Sequence, residues 1–416
     1  MNDNVKDLEA ARFELRKVQY KSGVRLHGFP FRDEENTLMP TLELLNKHTQ
    51  FTNTKDPERI KRGFFSFHRQ NELERIKVAR ELIIRTEPGP FEDPNYMALM
   101  AYQAASVEMI VRMLKKDMPP SKFLLGTVHD PFVNAFAKRY NSSGYTLIVL
   151  HSALIEFIYQ AVKVVVELLK PANTNSPNPT VELNDSSDKI KQVMKKNPLP
   201  VERLFKTLES YFYLGYPRAF AHEIPDQKQQ GMISICTAMA ERWVIAHEYG
   251  HGLFTGYIDP EKVNNRQWVE EYIADSNATI CTVYSAAKLD GLPPEFALSG
   301  ASFSLACLEV LRRAYSIVTE GISHRDEGTD THPPNKARVK QTIDIFKQFF
   351  DVRYGDRKFE VDFLLRLAVP DNHIFGDEHI KRMHFNSRLL FNVWDEVKQM
   401  LEEQYHLRRK LHHMWQ

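Results

Sequence analysis

Apolar residues recur near helical spacing in residues 70–85, and this pattern predicts a helix. Residues 87–94 hold three prolines and one glycine, which predicts a loop after that helix. Residues 95–115 are predicted as a second helix, which ends before the two prolines at positions 119 and 120. The beginning of the chain thus contains two helices joined by a short loop.

Residues 12–31 show a different pattern, with short strand-like runs that are broken by Gly23, Gly28 and Pro30. Strand-like runs beside two helices predict a mixed N-terminal region over residues 1–120. The sequence does not show whether this region folds independently.

The most apolar stretch, residues 147–169, is predicted as the end of a strand followed by a core helix. Residues 145–150 (YTLIVL) follow the turn-forming residues 141–144 and are rich in residues that favour strands. Polar side chains spaced through the stretch are costly in lipid, so no membrane span is predicted. These side chains are His151, Glu156, Gln160, Lys163 and Glu167.

Residues 171–199 are the clearest candidate for a linker. The run PANTNSPNPT is rich in proline and asparagine, and a polar, lysine-rich stretch follows it. We therefore expect a mobile segment or a surface excursion. Residues 121–345 are interpreted as the core with this linker inserted, and residues 346–416 as a C-terminal helical region.

Charge and cysteine content exclude several classes of protein. The 55 Lys and Arg residues balance 54 Asp and Glu residues, which gives no support to a nucleic-acid partner bound through bulk charge. The three cysteines are too few and too far apart for a disulfide framework or a four-cysteine zinc site. The first residues lack the basic and then apolar pattern of a signal peptide. A cytoplasmic protein is expected.

The most informative segment contains the motif His247-Glu248-Tyr249-Gly250-His251. Residues four apart share one face of a helix, so His247 and His251 can reach the same metal ion. Glu248 lies one residue along, where it can contact a metal-bound water. This is the HExxH arrangement of zinc peptidases.

A catalytic zinc site needs a third protein ligand. Glu271 follows His251 by 20 residues, and Asp275 lies one helical turn further on, on the same face. Metal-bound histidines usually donate their second N–H to a carboxylate, and Asp275 suits that role. Glu270 is the competing ligand, but its neighbour one turn on is Ala274, which cannot support a histidine. We therefore prefer Glu271.

HExxH followed by a glutamate in ExxAD resembles the gluzincin metallopeptidases. Residues 134–137 (NAFA) and 144–154 (GYTLIVLHSAL) resemble the NAF...G.I.V...LL segment of the CaaX prenyl-endopeptidase and HtpX-like family. Residues 331–334 (THPP) together with Arg338 are similar to the HPP....R motif of that family. The order of the segments along the chain also agrees.

The resemblance covers about residues 125–155 and 235–345. It implies an α+β fold that is predominantly helical, with a zincin core, a small sheet with an edge strand, and helical additions. In that family the strand corresponding to residues 144–154 is the edge strand along which a peptide substrate lies. The short spacing from His251 to Glu271 is closer to thermolysin and the ImmA/IrrE proteins.

The motifs predict zinc-assisted hydrolysis of amide bonds, with one Zn²⁺ per chain. His247, His251 and Glu271 would hold the ion, which lowers the pKa of a bound water and polarises the scissile carbonyl. Glu248 would take a proton from that water and deliver it to the leaving amine.

The resemblance also implies roles for three further residues. His332 and Arg338 are the candidates for stabilising the oxyanion. Asn134 is the candidate for contacting the substrate backbone. The resemblance thus adds two catalytic residues and one substrate-binding residue to the predicted site.

The leading hypothesis is a soluble zinc endopeptidase that acts on proteins or peptides and is narrow in specificity or gated. Residues 171–199 and the terminal regions are candidates for that control, through a regulatory partner. The alternative is a zincin-fold sensor or binding module that signals through a partner protein, although Glu248 favours an enzyme. An aminopeptidase is a third hypothesis, and it needs a group for the substrate amine that the sequence does not identify.

Overall fold

The computed structural model describes most of the chain, and the fold is that of the described residues. The described residues are 3–26, 38–50, 64–90, 92–114, 122–129, 134–140, 144–168, 187–214, 227–254, 266–292, 294–323, 328–329, 332–354 and 385–414. Within them the fold is mostly helical, with one three-stranded sheet. This composition agrees with the predicted α+β, predominantly helical class.

The first helices in chain order are α1 (Asp3–Leu26), α2 (Leu38–Gln50), α3 (Phe64–Thr86) and α4 (Pro94–Leu114). The strands are β1 (Phe123–Val128), β2 (Ala135–Tyr140) and β3 (Tyr145–His151). The next helices are α5 (Ser152–Leu168), α6 (Ser187–Lys196), α7 (Leu199–Leu214), α8 (Gln227–Phe254) and α9 (Arg266–Ser285), and α9 continues into a π-helical turn (Ala286–Asp290). The last helices are α10 (Pro294–Glu320), α11 (Asn335–Tyr354) and α12 (Phe385–Met414).

The sheet has the strand order β1-β3-β2. β3 pairs in parallel with β1, where Phe123 lies opposite Thr146, and antiparallel with β2, where Ala135 lies opposite Leu150. The predicted strand at 145–150 is therefore confirmed. The expectation that this segment is the edge strand is wrong, because it is the central strand.

The burial of β3 and β2 agrees with β3 as the central strand. All seven residues of β3 are buried, as is typical of a strand that is covered on both faces. The residues of β2 are half-buried or exposed, so β2 is the strand at the rim. A continuous apolar run such as YTLIVL is a signal of a central strand rather than an edge strand.

Helix α1 covers the face of the sheet that is turned away from the main core. Ala11 and Leu15 pack against Leu124, Leu147 and Val149 of the sheet. The strand-like reading of residues 12–26 is therefore wrong, since apolar side chains near helical spacing form one face of a helix here. The remainder of that segment, residues 27–31, lies outside the described residues.

The other helical predictions agree with the structure. The predicted helices at 70–85 and 95–115 correspond to α3 and α4, and the core helix predicted after β3 is α5. By length and composition, α4 is the one described helix that could cross a membrane, but 72% of its most apolar window is buried inside the protein. The helices predicted after residue 335 are α11 and α12.

Part of the predicted linker is ordered structure. Residues 187–196 form helix α6, whose Ile190 and Met194 join the main core. The expectation of a linker to residue 199 is therefore wrong for this part, because buried side chains anchor it. Residues 171–186 lie outside the described residues.

Helix α8 runs through the centre of the main core and is crossed closely by α9 and α10. A Cβ atom on Gly250 of α8 would lie 2.8 Å from the Cα of Ala274 in α9. A Cβ atom on Gly300 of α10 would lie 2.6 Å from the carbonyl carbon of Met239 in α8. The absence of a side chain at each glycine therefore lets the helix backbones come together.

A buried ionic network holds the other side of α8. Arg242 of α8 donates to Asp290 at 2.5 Å, and Arg75 of α3 donates to the same carboxylate at 2.6 Å. Asp290 ends the π-helical turn that follows α9. The network thus ties α3, α8 and the end of α9 together. The cysteines Cys236, Cys281 and Cys307 take no part in disulfides, and the last two are buried.

We expect Gly250→Ala to lower the free energy of unfolding by about 1–3 kcal/mol, because the added methyl group meets the backbone of α9. Gly231→Ala is the matched control on the same helix, since its Cβ meets no atom within 4 Å. That control is expected to raise the free energy of unfolding by about 0.5–1 kcal/mol. Urea denaturation measures both, and equal stability of the two variants would contradict the close approach.

Candidate metal centre

Two adjacent helices supply the predicted site. Helix α8 carries His247, Glu248 and His251 in its last turns, and α9 carries Glu271 and Asp275 in its first half. The prediction that HExxH lies on a helix is therefore confirmed. Side chains from both helices meet because Gly250 lets α8 lie directly against Ala274 of α9.

The three predicted ligands form one cluster. The Nε2 atoms of His247 and His251 are 3.0 Å apart. Glu271 places Oε2 at 3.5 Å from Nε2 of His247 and Oε1 at 3.3 Å from Nε2 of His251. Ligand atoms about 2.0–2.1 Å from a tetrahedral zinc lie about 3.3 Å from one another. The group could therefore hold a metal ion, and the structure by itself does not specify which one.

Asp275 lies against the first imidazole. Its Oδ1 lies 2.8 Å from Nδ1 of His247, and the carboxylate is completely buried. A proton on Nδ1 leaves the lone pair of Nε2 pointing toward His251 and Glu271. Asp275 therefore makes the contact that was predicted for it.

Arg338 lies behind the ligands. It donates from Nε and Nη2 to the two oxygens of Asp275 at 2.8 and 2.7 Å, and Nη2 is also 3.5 Å from Oε2 of Glu271. The side chain is buried on α11. The predicted oxyanion contact would need this guanidinium to face the substrate, whereas the structure directs it to the two carboxylates. The geometry instead supports a positioning role.

The charges of the cluster favour a cation between the ligand atoms. Burial lowers the pKa of His247, but Asp275 and Glu271 outweigh it and raise that pKa to about 10. Burial raises the pKa of Glu271, but its hydrogen bonds to the two histidines bring it well below the ordinary value. Glu271 is therefore ionised, as a carboxylate ligand of a metal ion would have to be. The electrostatic environment of this cluster therefore favours a positive charge, either a proton or a metal ion.

Glu248 lies beside the cluster and lines a cavity. Burial raises the pKa of its carboxyl group, an effect that the neighbouring histidines partly offset. A carboxylate with a raised pKa is suited to accepting a proton and passing it on. The position of Glu248 is therefore consistent with the general base that was predicted.

The cavity next to the cluster has a volume of about 220 Å³. Its walls come from the start of β2, from α5, α8 and α10, and from the segment before α11. The residues predicted to act on the substrate or the water line it, namely Asn134, Glu248, His332 and Arg338, whereas Asp275 does not. The cavity thus connects residues that are up to 200 positions apart in sequence.

His332 stands at the open side of this cavity. Its Nε2 is 3.5 Å from Oε1 of Glu271, and 55% of the side chain is exposed. A tight turn holds it, because the N–H of Thr329 donates to the carbonyl of His332 at 2.7 Å and the N–H of His332 donates back to Oγ1 of Thr329 at 2.9 Å. The structure therefore places His332 where a substrate oxygen could approach.

Asn134 lies at the start of the rim strand. Its carbonyl accepts a hydrogen bond from the N–H of His151 at 3.0 Å, and the residue is exposed. The strand that borders the cavity is therefore β2. The family resemblance had instead predicted β3 as the edge strand along which a substrate lies.

Trp243 and Arg312 are among the cavity-lining residues that sequence reasoning missed. Trp243 stacks on His247 with ring centroids 5.6 Å apart and donates from Nε1 to Thr279 at 3.3 Å. Trp243 lies one helical turn before His247 in the sequence, and this spacing could have identified it as a neighbour of the histidine. Arg312 also lines the cavity, but nothing in the local sequence connects it with the HExxH helix.

Comparison with models of known protein families finds no match for this chain. Neither the curated proteins nor the solved structures contain a similar chain at a significant level. The motifs and the geometry of the cluster are therefore what point to a metal site in this molecule.

We expect Glu271→Gln to lose bound zinc while the protein stays folded, because one of three ligands loses its charge. Glu270→Gln is the matched control, since the neighbouring carboxylate is outside the ligand cluster. Metal content of the purified proteins is measured by atomic emission, with circular dichroism as the test of folding. Zinc retained at one ion per chain in Glu271→Gln and in His247→Ala would refute the ligand assignment.

Asp275→Asn should weaken zinc binding by about 10- to 100-fold, because supporting carboxylates orient and polarise the ligating histidine. Competition with a chelator measures this affinity. Asp344→Asn, an exposed change on α11, should leave it unaltered. An Asp275→Asn protein that folds and binds zinc as tightly as the unaltered chain would show that this contact does not support the metal.

Proposed function

We propose that this protein is a zinc-dependent endopeptidase. The observation that carries the proposal is the cluster of two imidazoles and one carboxylate at metal-ligand spacing, with Glu248 beside it on a cavity. A site that only stabilises the fold has four protein ligands, whereas a catalytic site has three and an open position. The described ligand set of His247, His251 and Glu271 corresponds to the second kind.

The donor set favours a transition-metal ion such as zinc over calcium or magnesium. Two imidazole nitrogens and one carboxylate oxygen are ligands that zinc accepts, whereas calcium and magnesium prefer oxygen ligands alone. A zinc ion held here would supply a Lewis acid and a water of lowered pKa. We therefore propose one zinc ion per chain, and the donor set is consistent with this.

Glu248 supplies the proton transfer in this mechanism. Its carboxylate faces the cavity, so it can take a proton from the attacking water and deliver it to the nitrogen of the leaving amine. Asp275 keeps His247 in the tautomer that binds the metal. Arg338 holds Asp275 in place by its bidentate contact and so acts through another residue.

The rim strand and His332 are suited to holding the substrate. An extended peptide can lie beside an exposed strand such as β2 and pair with its backbone, with Asn134 and Ala135 at the cavity. His332 at the open side can donate a hydrogen bond to the oxygen of the scissile carbonyl. A protein or peptide substrate is therefore the partner that we propose.

The alternative is a zincin-fold sensor or binding module that signals through a partner protein. It would use the same metal site, but it has no chemical need for a carboxylate at position 248. The position of Glu248 on the cavity therefore favours an enzyme. Narrow specificity, a regulatory partner and a cytoplasmic location stay predictions.

We expect Glu248→Gln to keep its zinc and to lower hydrolysis by about 10²- to 10⁴-fold, because it removes the general base. The measurement compares new N-termini in a cell lysate after addition of the unaltered protein or the variant. Glu270→Gln is the control and should cleave like the unaltered protein. Equal cleavage by Glu248→Gln would overturn the mechanism, and a lysate without new N-termini would favour the sensor.

A further inference from the structure

Alternate residues of the rim strand β2 direct their backbone polar groups away from the sheet. The carbonyl of Asn134 accepts a hydrogen bond from the N–H of His151, so these two residues form a hydrogen-bonded pair. Hydrogen-bonded and non-hydrogen-bonded pairs alternate along an antiparallel ladder, and the register with β3 is continuous along β2. Ala135, Ala137 and Arg139 therefore point their N–H and C=O groups to the open side of β2, since this strand ends the sheet.

The side chains of β2 point to two different faces of the sheet. Ala135 and Ala137 pack against the main core, whereas Phe136 and Tyr140 pack against the apolar cluster beneath α1. Side chains alternate between the two faces along a strand, so Arg139 shares the face of Ala135, which lines the cavity. At about 3.3 Å per residue, Arg139 lies about 13 Å along the strand from that cavity wall.

Arg139 is the exposed cation at the far end of this face. In the part of the chain that the structure describes, Arg139 has no hydrogen bond or ion pair. Thr146 of β3 lies directly opposite Arg139, and Ile148 lies diagonally from it. Neither neighbour carries a charge that would neutralise the guanidinium. Its five N–H donors therefore face solvent, where a carboxylate can approach them.

An extended peptide is the occupant that suits this edge. A peptide strand that pairs with the outward N–H and C=O groups of β2 places every second side chain on the face of Arg139. Antiparallel pairing is slightly more stable than parallel pairing. In that direction the peptide passes Arg139 first, and residues later in its sequence reach the cavity. The residue opposite Arg139 is then four positions before the residue opposite Ala135.

We propose that Arg139 is a specificity-determining residue, which binds an aspartate or glutamate side chain on the N-terminal side of the scissile bond of a peptide substrate. This inference rests on the proposed function, because it concerns the substrate of the same site. Side chains of opposite charge attract each other across an antiparallel pair. A guanidinium also forms charge-assisted hydrogen bonds with a carboxylate, and these supply the recognition.

The test uses peptide binding, so that it does not depend on hydrolysis. The zinc-loaded Glu248→Gln protein is mixed with random decapeptides whose ends are blocked, and the captured peptides are sequenced. We expect aspartate and glutamate to be enriched. Adding Arg139→Gln should reduce this enrichment by about 2- to 5-fold, because it removes an oppositely charged cross-strand partner. Adding Arg139→Glu should shift the captured peptides toward lysine and arginine.

Lys138→Gln is the matched control, since this neighbouring exposed cation lies on the opposite face of β2, with Nζ 5.2 Å from the centre of the Tyr140 ring. It should leave the enrichment that depends on Arg139 unaltered. An equal loss of enrichment in Lys138→Gln would show attraction by bulk charge and would overturn the assignment to Arg139.

Pairing with the edge of β2 is tested on the peptide, so that the fold of the protein is not altered. A captured peptide is made in two forms, each with methyl groups on alternate backbone nitrogens. We expect one of the two forms to bind about 2- to 10-fold more weakly, because it lacks the donors to the outward carbonyls of β2. Equal binding of both forms and of the unmethylated peptide would overturn the strand pairing and with it the proposal.

The outcomes separate this proposal from the proposed function. The captured peptides are also incubated with the unaltered protein, and the cleaved bonds are mapped. An absence of acidic enrichment, or an acidic residue on the C-terminal side of the cleaved bond, overturns the role of Arg139 and keeps the peptidase. Enrichment that depends on Arg139, without any cleavage, would overturn the peptidase assignment and keep the carboxylate site on β2.

Discussion

The close approach of helices α8 and α9 is the contact on which the candidate site depends. Gly250 has no side chain, so the backbone of α8 lies directly against Ala274. Ala274 lies between Glu271 and Asp275 along α9, and Gly250 lies between His247 and His251 along α8. The contact therefore brings a ligand carboxylate and a supporting carboxylate to two imidazoles at once. A side chain at position 250 would meet the backbone of α9 and so would press the two helices that carry the cluster apart.

A chain of alternating charges extends from this contact into the core. Arg338 pairs with Asp275, Asp275 pairs with His247, and His247 faces Glu271. Each buried charge therefore has an opposite charge beside it, which offsets the cost of removing it from water. The net result is an ionised Glu271 and a raised pKa at His247, so the cluster favours a positive charge between its side chains, as a proton or as a metal ion. The packing of α8 against α9 and the charges beside this contact thus favour a cation in the same small volume.

The cavity beside this volume is built from elements that are distant in sequence. The rim strand β2, the site helix α8, and helix α10 each contribute one wall, and the tight turn that holds His332 closes one side. The walls differ in chemistry: β2 offers a backbone edge, α8 offers Glu248, and α10 offers Arg312. In the proposed peptidase, the rim strand would orient an extended chain and Glu248 would carry out the proton transfer.

Local patterns in the sequence predicted the candidate ligand set and most of the main elements. Helical periodicity alone relates His247 to His251 and Glu271 to Asp275, because residues one turn apart share a face in any helix. Composition alone identified the strand at 145–150 and the helix after it. The tertiary structure decided the order of the strands, the partner of Arg338 and which segments form the walls of the cavity. These features depend on contacts between distant segments, since a strand is central or a guanidinium is paired only with respect to neighbours that local patterns do not contain.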